Sequence, residues 1–135
     1  MNRIIEELLQ SQYWIIDILP EQVSKDGEGQ YFAVEEYFLE KGRLADIKQK
    51  HINVVLKLNC YRDILLGEEA LKNPSPNQID SEMRKRSLCI MVDGAMIASE
   101  PDDTHLTVYN PDEKLLELVR VIATGEGLYV WKPSL

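Results

Sequence analysis

The amino-acid sequence predicts one domain, residues 1–135, of the α/β or α+β class, with a mixed sheet of about five strands, a central β-hairpin and helices packed on the sheet. The chain has 135 residues, 44% of them hydrophobic, which fits one compact core. Apolar residues recur at helical spacing in some segments and at strand spacing in others. An Asp-Gly dipeptide between two apolar runs marks the hairpin.

The N-terminal half predicts a helix, a strand and two further helices. "NRIIEELLQ" places its apolar residues on one helical face, and "YWIIDIL" (13–19) is β-branched and aromatic, which is typical of a strand. Residues 30–42 predict a helix that ends at Gly42. Residues 52–60 fit a helix or an alternating strand. Because no Gly or Pro interrupts 43–66, we expect one long helix there.

The hairpin is the clearest local signal, and it lies in "SLCIMVDGAMIAS". Asp93-Gly94 favours a type I′ turn, which places Ile90 opposite Ile97 and likewise pairs the two methionines of these strands. Both faces of the hairpin are apolar, so we expect it inside the sheet with cover on each side. A helix that begins at Ser75 as N-cap precedes it.

The C-terminal third predicts a strand at 104–109, a helix at 111–124 and a strand at 128–132. Together they form a candidate right-handed βαβ unit. Asn110 is expected as the N-cap of this helix, with Glu113 completing a capping box.

The net charge of −8 and pI near 4.8 disfavour nucleic acid and anionic membranes as partners. No apolar stretch approaches the roughly 20 residues of a membrane span, and the start "MNRIIEELLQ" lacks the apolar core of a secretory signal. We therefore expect a cytoplasmic protein. Charge is uneven, since residues 41–62 are basic and residues 93–126 strongly acidic.

No motif predicts a cofactor or a metal. A zinc site would need Cys60, Cys89, His51 and His105 together, and their spacing matches no zinc pattern. The cysteines are expected to be buried free thiols. The glycines form no phosphate-binding loop, and no nucleophile elbow occurs. These absences favour a protein that is not an enzyme.

The acidic stretch "EPDDTH" is the most compact group of chemically active side chains. Glu100, Asp102, Asp103 and His105 could hold a divalent ion, and an Asp–His pair could act in acid–base catalysis. The alternative is an exposed acidic turn beside a surface histidine.

Three further positions are candidates. Asp17 interrupts an apolar strand, which requires a sheet edge, a structural partner or a function. Tyr129 and Trp131 share one strand face and could line a groove or belong to the core.

The sequence thus favours a small acidic cytoplasmic protein that binds or regulates another protein. An inhibitor or immunity-type protein is one concrete form of this hypothesis. Two alternatives remain open. One is a small metal-assisted or acid–base hydrolase that uses Asp102, Asp103 and His105, with Asp17 as a further candidate, and the other is a homo-oligomeric structural protein.

Overall fold

The computed structural model describes residues 2–27 and 29–134. In this part of the chain, five helices accompany one seven-stranded sheet. The helices are α1 (Asn2–Leu9), α2 (Tyr31–Leu39), α3 (Lys41–Asn59), α4 (Pro76–Lys85) and α5 (Glu113–Gly125). The strands are β1 (Tyr13–Asp17), β2 (Leu65–Leu66), β3 (Leu71–Lys72), β4 (Leu88–Val92), β5 (Ala95–Ser99), β6 (Leu106–Tyr109) and β7 (Tyr129–Trp131).

The strand order is β3-β2-β4-β5-β6-β1-β7, and every pair of neighbours is antiparallel. The α+β class is confirmed, whereas a mixed sheet of about five strands is wrong. The two additional strands, β2 and β3, have two residues each. Such short strands show no alternation of apolar and polar residues, so periodicity cannot detect them.

The central hairpin is confirmed in position and in register. Ile90 pairs with Ile97 and Met91 with Met96, and β4 and β5 lie inside the sheet. Asp93 and Gly94 both have positive φ, as a type I′ turn requires.

The predicted βαβ unit is wrong in one respect. β6 and β7 are not hydrogen-bonded to each other, because β1 lies between them and is antiparallel to both. The two strands therefore run in the same direction, as in a split βαβ arrangement. β1 comes from the start of the chain, and a pattern confined to residues 104–132 cannot show that it inserts there.

Three helix limits and one burial prediction also differ from expectation. Gly42 lies inside α3, and the helix expected over 43–66 ends at Asn59. Residues 52–59 are thus helical, which decides the helix-or-strand question for them. Asp112, not Asn110, caps α5 by accepting the Leu115 N–H at 2.8 Å.

The cysteines are free, but Cys60 is exposed and Cys89 only partly buried.

The core lies between one face of the sheet and helices α3, α4 and α5. Ile16, Ile97 and Leu106 are fully buried on that face, and Leu58 of α3 and Met83 of α4 are fully buried opposite them. Burying one such side chain stabilises the fold by about 1.5–3 kcal/mol. Within residues 2–27 and 29–134, none of the helices has the length and apolar content to cross a membrane.

Candidate functional site

A small cleft opens where β1 ends and β6 begins. Ile16 pairs with Leu106, so the next residue of β1, Asp17, lies beside the residue that precedes Leu106, His105. The first turns of α2 complete the cleft. Its volume is about 30 Å³, room for roughly two water molecules. The lining residues are Asp17, Ile18, Leu19, Tyr31, Val34, Glu35, Thr104 and His105.

Asp17 is the carboxylate nearest the sheet. Its Oδ1 accepts the Ile18 N–H at 2.7 Å. Burial raises the pKa of Asp17, while backbone hydrogen bonds and the nearby His105 act in the opposite direction. The Trp131 indole N–H is close enough to lower this pKa, but its geometry falls short of a hydrogen bond. Asp17 is thus a partly desolvated carboxylate with spare capacity to accept hydrogen bonds.

Helix α2 contributes a phenol and a second carboxylate. The Tyr31 hydroxyl donates to Glu35 Oε2 at 2.8 Å. This bond, with burial and the negative charges of Glu35 and Asp17, raises the pKa of Tyr31 to about 12. Tyr31 therefore stays protonated at neutral pH, and the cleft has acidic groups on both walls.

Helix α3 buries two polar side chains, Lys48 and His51, one turn apart. Lys48 is 2% exposed and donates to the carbonyl of Glu100 at 2.7 Å, with a longer contact of 3.4 Å to Ser99 Oγ. Burial lowers the pKa of Lys48 to about 8 despite the opposing effect of Asp103 and neighbouring acids. The hydrogen bond from Lys48 to Glu100 thus links α3 to the turn that precedes β6.

His51 is completely buried. In the described residues, neither of its ring nitrogens has a hydrogen-bond partner of normal geometry, although the backbone of Thr104 is near. Burial, followed by the charge of Lys48, lowers the pKa of His51 to about 3. The imidazole is therefore neutral at pH 7, and leaving its nitrogens unpaired costs the fold about 1–3 kcal/mol.

The predicted acidic cluster does not line the cleft as a whole. Glu100 and Asp102 are exposed, Asp103 is partly buried, and of the four only His105 lines the cleft. The Glu100 carboxylate accepts a hydrogen bond from the Ser87 hydroxyl. Among residues 2–27 and 29–134, no three His, Cys, Asp or Glu side chains are placed to share a metal ion.

The other three candidates lie near one another. Asp17 pairs with Tyr129, and Ile15 pairs with Trp131, so the three side chains share one sheet face. Tyr129 is about half exposed and Trp131 is partly buried. Because β1 lies between β6 and β7, Asp17 has the aromatic residues of β7 on one side and His105 on the other.

Sequence reasoning missed Tyr31, Glu35, Lys48 and His51. For the last two, a signal existed: both fall on the helical stripe that contains Ile47, Ile52, Val55 and Leu58. Polar residues within an apolar stripe are candidates for a buried site. Tyr31 and Glu35 gave no such signal, because only the packing of α2 across the end of β1 brings them to the cleft.

Helix α2 also exposes an unusual surface. None of its nine residues is buried, and Phe32 is 81% exposed. We define the α2 surface as the side chains on its outward side, which are Phe32, Ala33, Glu36, Tyr37 and Glu40. The Arg43 guanidinium stacks on the Tyr37 ring at 3.6 Å from its centroid.

Comparison of the chain with protein-family models, with curated proteins and with solved structures found no match. The site therefore has to be interpreted from its own geometry.

Proposed function

We propose that the chain is a protein-binding module that docks a basic partner on the α2 surface and the adjoining acidic turn at 100–103. The exposure of α2 is the observation that carries this proposal. Its sequence, YFAVEEYFL, is mostly apolar and aromatic, yet no residue is buried in the fold. Exposed aromatic side chains next to charged ones are typical of protein interfaces.

The energetics of α2 support a docking role. An isolated helix of nine residues is marginal in water. α2 packs mainly on α3, and Tyr31, Val34 and Glu35 also line the cleft. Covering the ring of Phe32 would stabilise a complex by up to about 2–3 kcal/mol. Aromatic anchors of this kind carry most of the binding energy in many interfaces.

Charge points to a basic partner. The chain carries a net charge of −8, and Glu36 on the α2 surface and Asp102 in the acidic turn are exposed, while Glu40 is paired with Arg43. Such acids accelerate association with a positively charged protein and reject acidic ones. An inhibitor that covers a basic enzyme is one concrete form of this function.

The size of the cleft favours binding over catalysis. Small-molecule sites occupy about 300–1,000 Å³, whereas this cleft offers about 30 Å³. Asp17 and His105 do line the same space, as the hydrolase alternative requires, but the space admits a single small group rather than a substrate.

Site-specific photo-crosslinking in the native cell tests the proposal. A benzophenone amino acid replaces Phe32 in one variant and, as the matched aromatic control, the exposed Tyr61 in another. We expect one basic protein to be crosslinked from position 32 and not from position 61. Charge reversal by Asp102→Lys with Asp103→Lys should reduce its yield at least tenfold.

Two results would overturn the proposal. Crosslinks only to a second copy of this chain would support a homo-oligomer instead. Equal yields from positions 32 and 61, or no crosslink from either, would show that the α2 surface docks no partner.

A further inference from the structure

The buried polar side chains of the described part of the chain lie together, between α3 and the segment that joins β5 to β6. They are Lys48, His51, Ser99 and Thr104, and we call them the polar cluster. Lys48 Nζ contacts Ser99 Oγ at 3.4 Å and the carbonyl of Glu100 at 2.7 Å. His51 lies near the backbone of Thr104. Polar groups are thus concentrated at one point of an otherwise apolar core.

His51 is the incomplete member of the polar cluster. Its side chain is 0% exposed, and in the described residues neither ring nitrogen has a hydrogen-bond partner of normal geometry. Lys48, one turn away on α3, already places a buried positive charge beside it. A proton on His51 would add a second buried cation without solvent to stabilise it. The fold as it stands therefore accepts only a neutral imidazole at this position.

The segment beside the cluster, residues 100–104, is short and weakly held. It forms no helix or strand. The carbonyl of Glu100 accepts from Lys48 and, at 3.3 Å, from the Asp103 N–H, and the Glu100 carboxylate accepts from the Ser87 hydroxyl. Because few hydrogen bonds hold this turn, its local opening costs less free energy than unfolding of the whole domain.

The charges around the cluster favour a protonated His51 only after the turn has moved. Lys48 on α3 and His105 before β6 both lower the pKa of His51. Arg84 of α4 acts on Lys48 in the same direction, whereas the turn acids Glu100, Asp102 and Asp103 raise the pKa of Lys48. Opening of the turn admits water to the imidazole ring and frees these carboxylates to approach it, which stabilises an imidazolium.

We propose that protonation of His51 opens the turn at 100–104 and thereby weakens docking of a basic partner at acid pH. The inference rests on the proposed function, in which this acidic turn adjoins the α2 surface, and adds its regulation. In the open form Lys48 loses its hydrogen bond to Glu100. Asp102 and Asp103 then face the imidazolium instead of the partner.

The direction of the effect follows from where His51 binds its proton. Its pKa is about 3 in the closed form and near the ordinary value of 6.5 once solvent reaches the ring. Between these values only the open form binds the proton, so acid favours opening and neutral pH favours closing. From pH 7 to pH 5 the equilibrium constant for opening should rise about 25-fold.

Amide hydrogen exchange, corrected for the intrinsic exchange rate, tests the opening without a partner. We expect the opening constant at the Asp103 amide to rise about 25-fold from pH 7 to pH 5. Urea up to about 1 M should leave this constant unchanged, because a local opening exposes little surface. The Ile90 amide in the centre of β4 provides the comparison, since it should exchange only through urea-sensitive global unfolding.

His51→Leu should reduce the change at Asp103 to less than twofold, and His51→Gln provides a second variant without a titrating ring should the first fail to fold. His105→Gln and Asp17→Asn are the matched controls and should keep the full rise. Asp17 is included because burial raises its pKa. A rise that persists in His51→Leu and His51→Gln, or one as sensitive to urea at Asp103 as at Ile90, would overturn the inference.

The affinity of the partner crosslinked from Phe32 tests the regulatory step. Calorimetry should show binding to the wild-type chain at least tenfold weaker at pH 5 than at pH 7, and His51→Leu should bind equally at both. Equal affinity of the wild-type chain at the two pH values would overturn regulation by this turn. The exchange experiment contains no partner, so its failure would leave the crosslinking result intact. Failure of the crosslinking would refute docking without affecting the exchange result.

Discussion

Helices α2 and α3 follow each other directly in the chain and distribute their side chains in opposite ways. α2 is mostly apolar and aromatic and buries none of its residues. α3 is rich in charge and buries Lys48 and His51 among aliphatic neighbours. Position relative to the sheet, rather than composition, decides burial, since α3 lies across the core and α2 lies beside it. The two helices thus show the two exceptions to the usual pattern, an apolar helix that stays exposed and polar side chains that are buried.

The largest expected effect compares the same substitution in the two helices. Leu58 of α3 is fully buried, whereas Leu39 of α2 is 39% exposed. Leu58→Ala should lower the free energy of unfolding by about 2–5 kcal/mol, because it leaves a cavity in the core. Leu39→Ala should lower it by about 0.5 kcal/mol or less. Urea denaturation of both variants measures the difference, and similar losses would show that α2 is part of the core.

The next effect comes from the buried imidazole. The pKa of His51 is about 3 in the folded chain and about 6.5 when unfolded. Between these values the unfolded chain binds a proton that the folded chain does not, so this contribution to stability is present above pH 6.5 and is lost as the pH falls. From pH 7 to pH 5 the free energy of unfolding should fall by about 2 kcal/mol.

His51→Leu should remove this pH dependence and should raise stability at pH 7 by about 1 kcal/mol, since it removes two unpaired nitrogens. The charged and titratable groups near His51 are Lys48 and His105. His105→Gln, at the other histidine, should keep most of the slope. If His51→Leu keeps the wild-type pH dependence of the free energy of unfolding, a group other than His51 causes that dependence.

The sequence contained enough information for the local features and too little for the site. The hairpin register followed from Asp93-Gly94, because that turn fixes which residues face each other. The cleft depends on β1 pairing with β6 and β7, which lie about ninety or more residues away in the chain. Of the stretch "EPDDTH", His105 lines the cleft, and its neighbour there is Asp17 rather than the adjacent acids. Contacts between distant segments leave no spacing pattern to read.

Lys48 offers a smaller effect with a local signature. Lys48→Met keeps the aliphatic stem and removes the hydrogen bond to the carbonyl of Glu100. We expect a net loss of about 1 kcal/mol, because the carbonyl loses its shorter hydrogen bond and keeps only that from the Asp103 N–H at 3.3 Å, while removing a buried charge is favourable. Hydrogen exchange of the Asp103 amide, which bonds to Glu100 across the turn, should become faster than that of strand β4. Unchanged exchange would show that the turn holds without the lysine.

The smallest stability effect is expected where the effect on binding is largest. Phe32 is 81% exposed, so Phe32→Ser should change the free energy of unfolding by no more than about 0.5 kcal/mol. The same change removes the largest aromatic surface of α2 and should weaken binding of the crosslinked partner at least tenfold, as expected for an interface anchor. Calorimetry with the purified partner measures the affinity, and urea denaturation measures the stability. A loss of stability above about 2 kcal/mol would mean that Phe32 is packed in the fold, so the contrast between α2 and α3 would disappear. Unchanged affinity in a stable variant would leave α2 exposed with no role in docking.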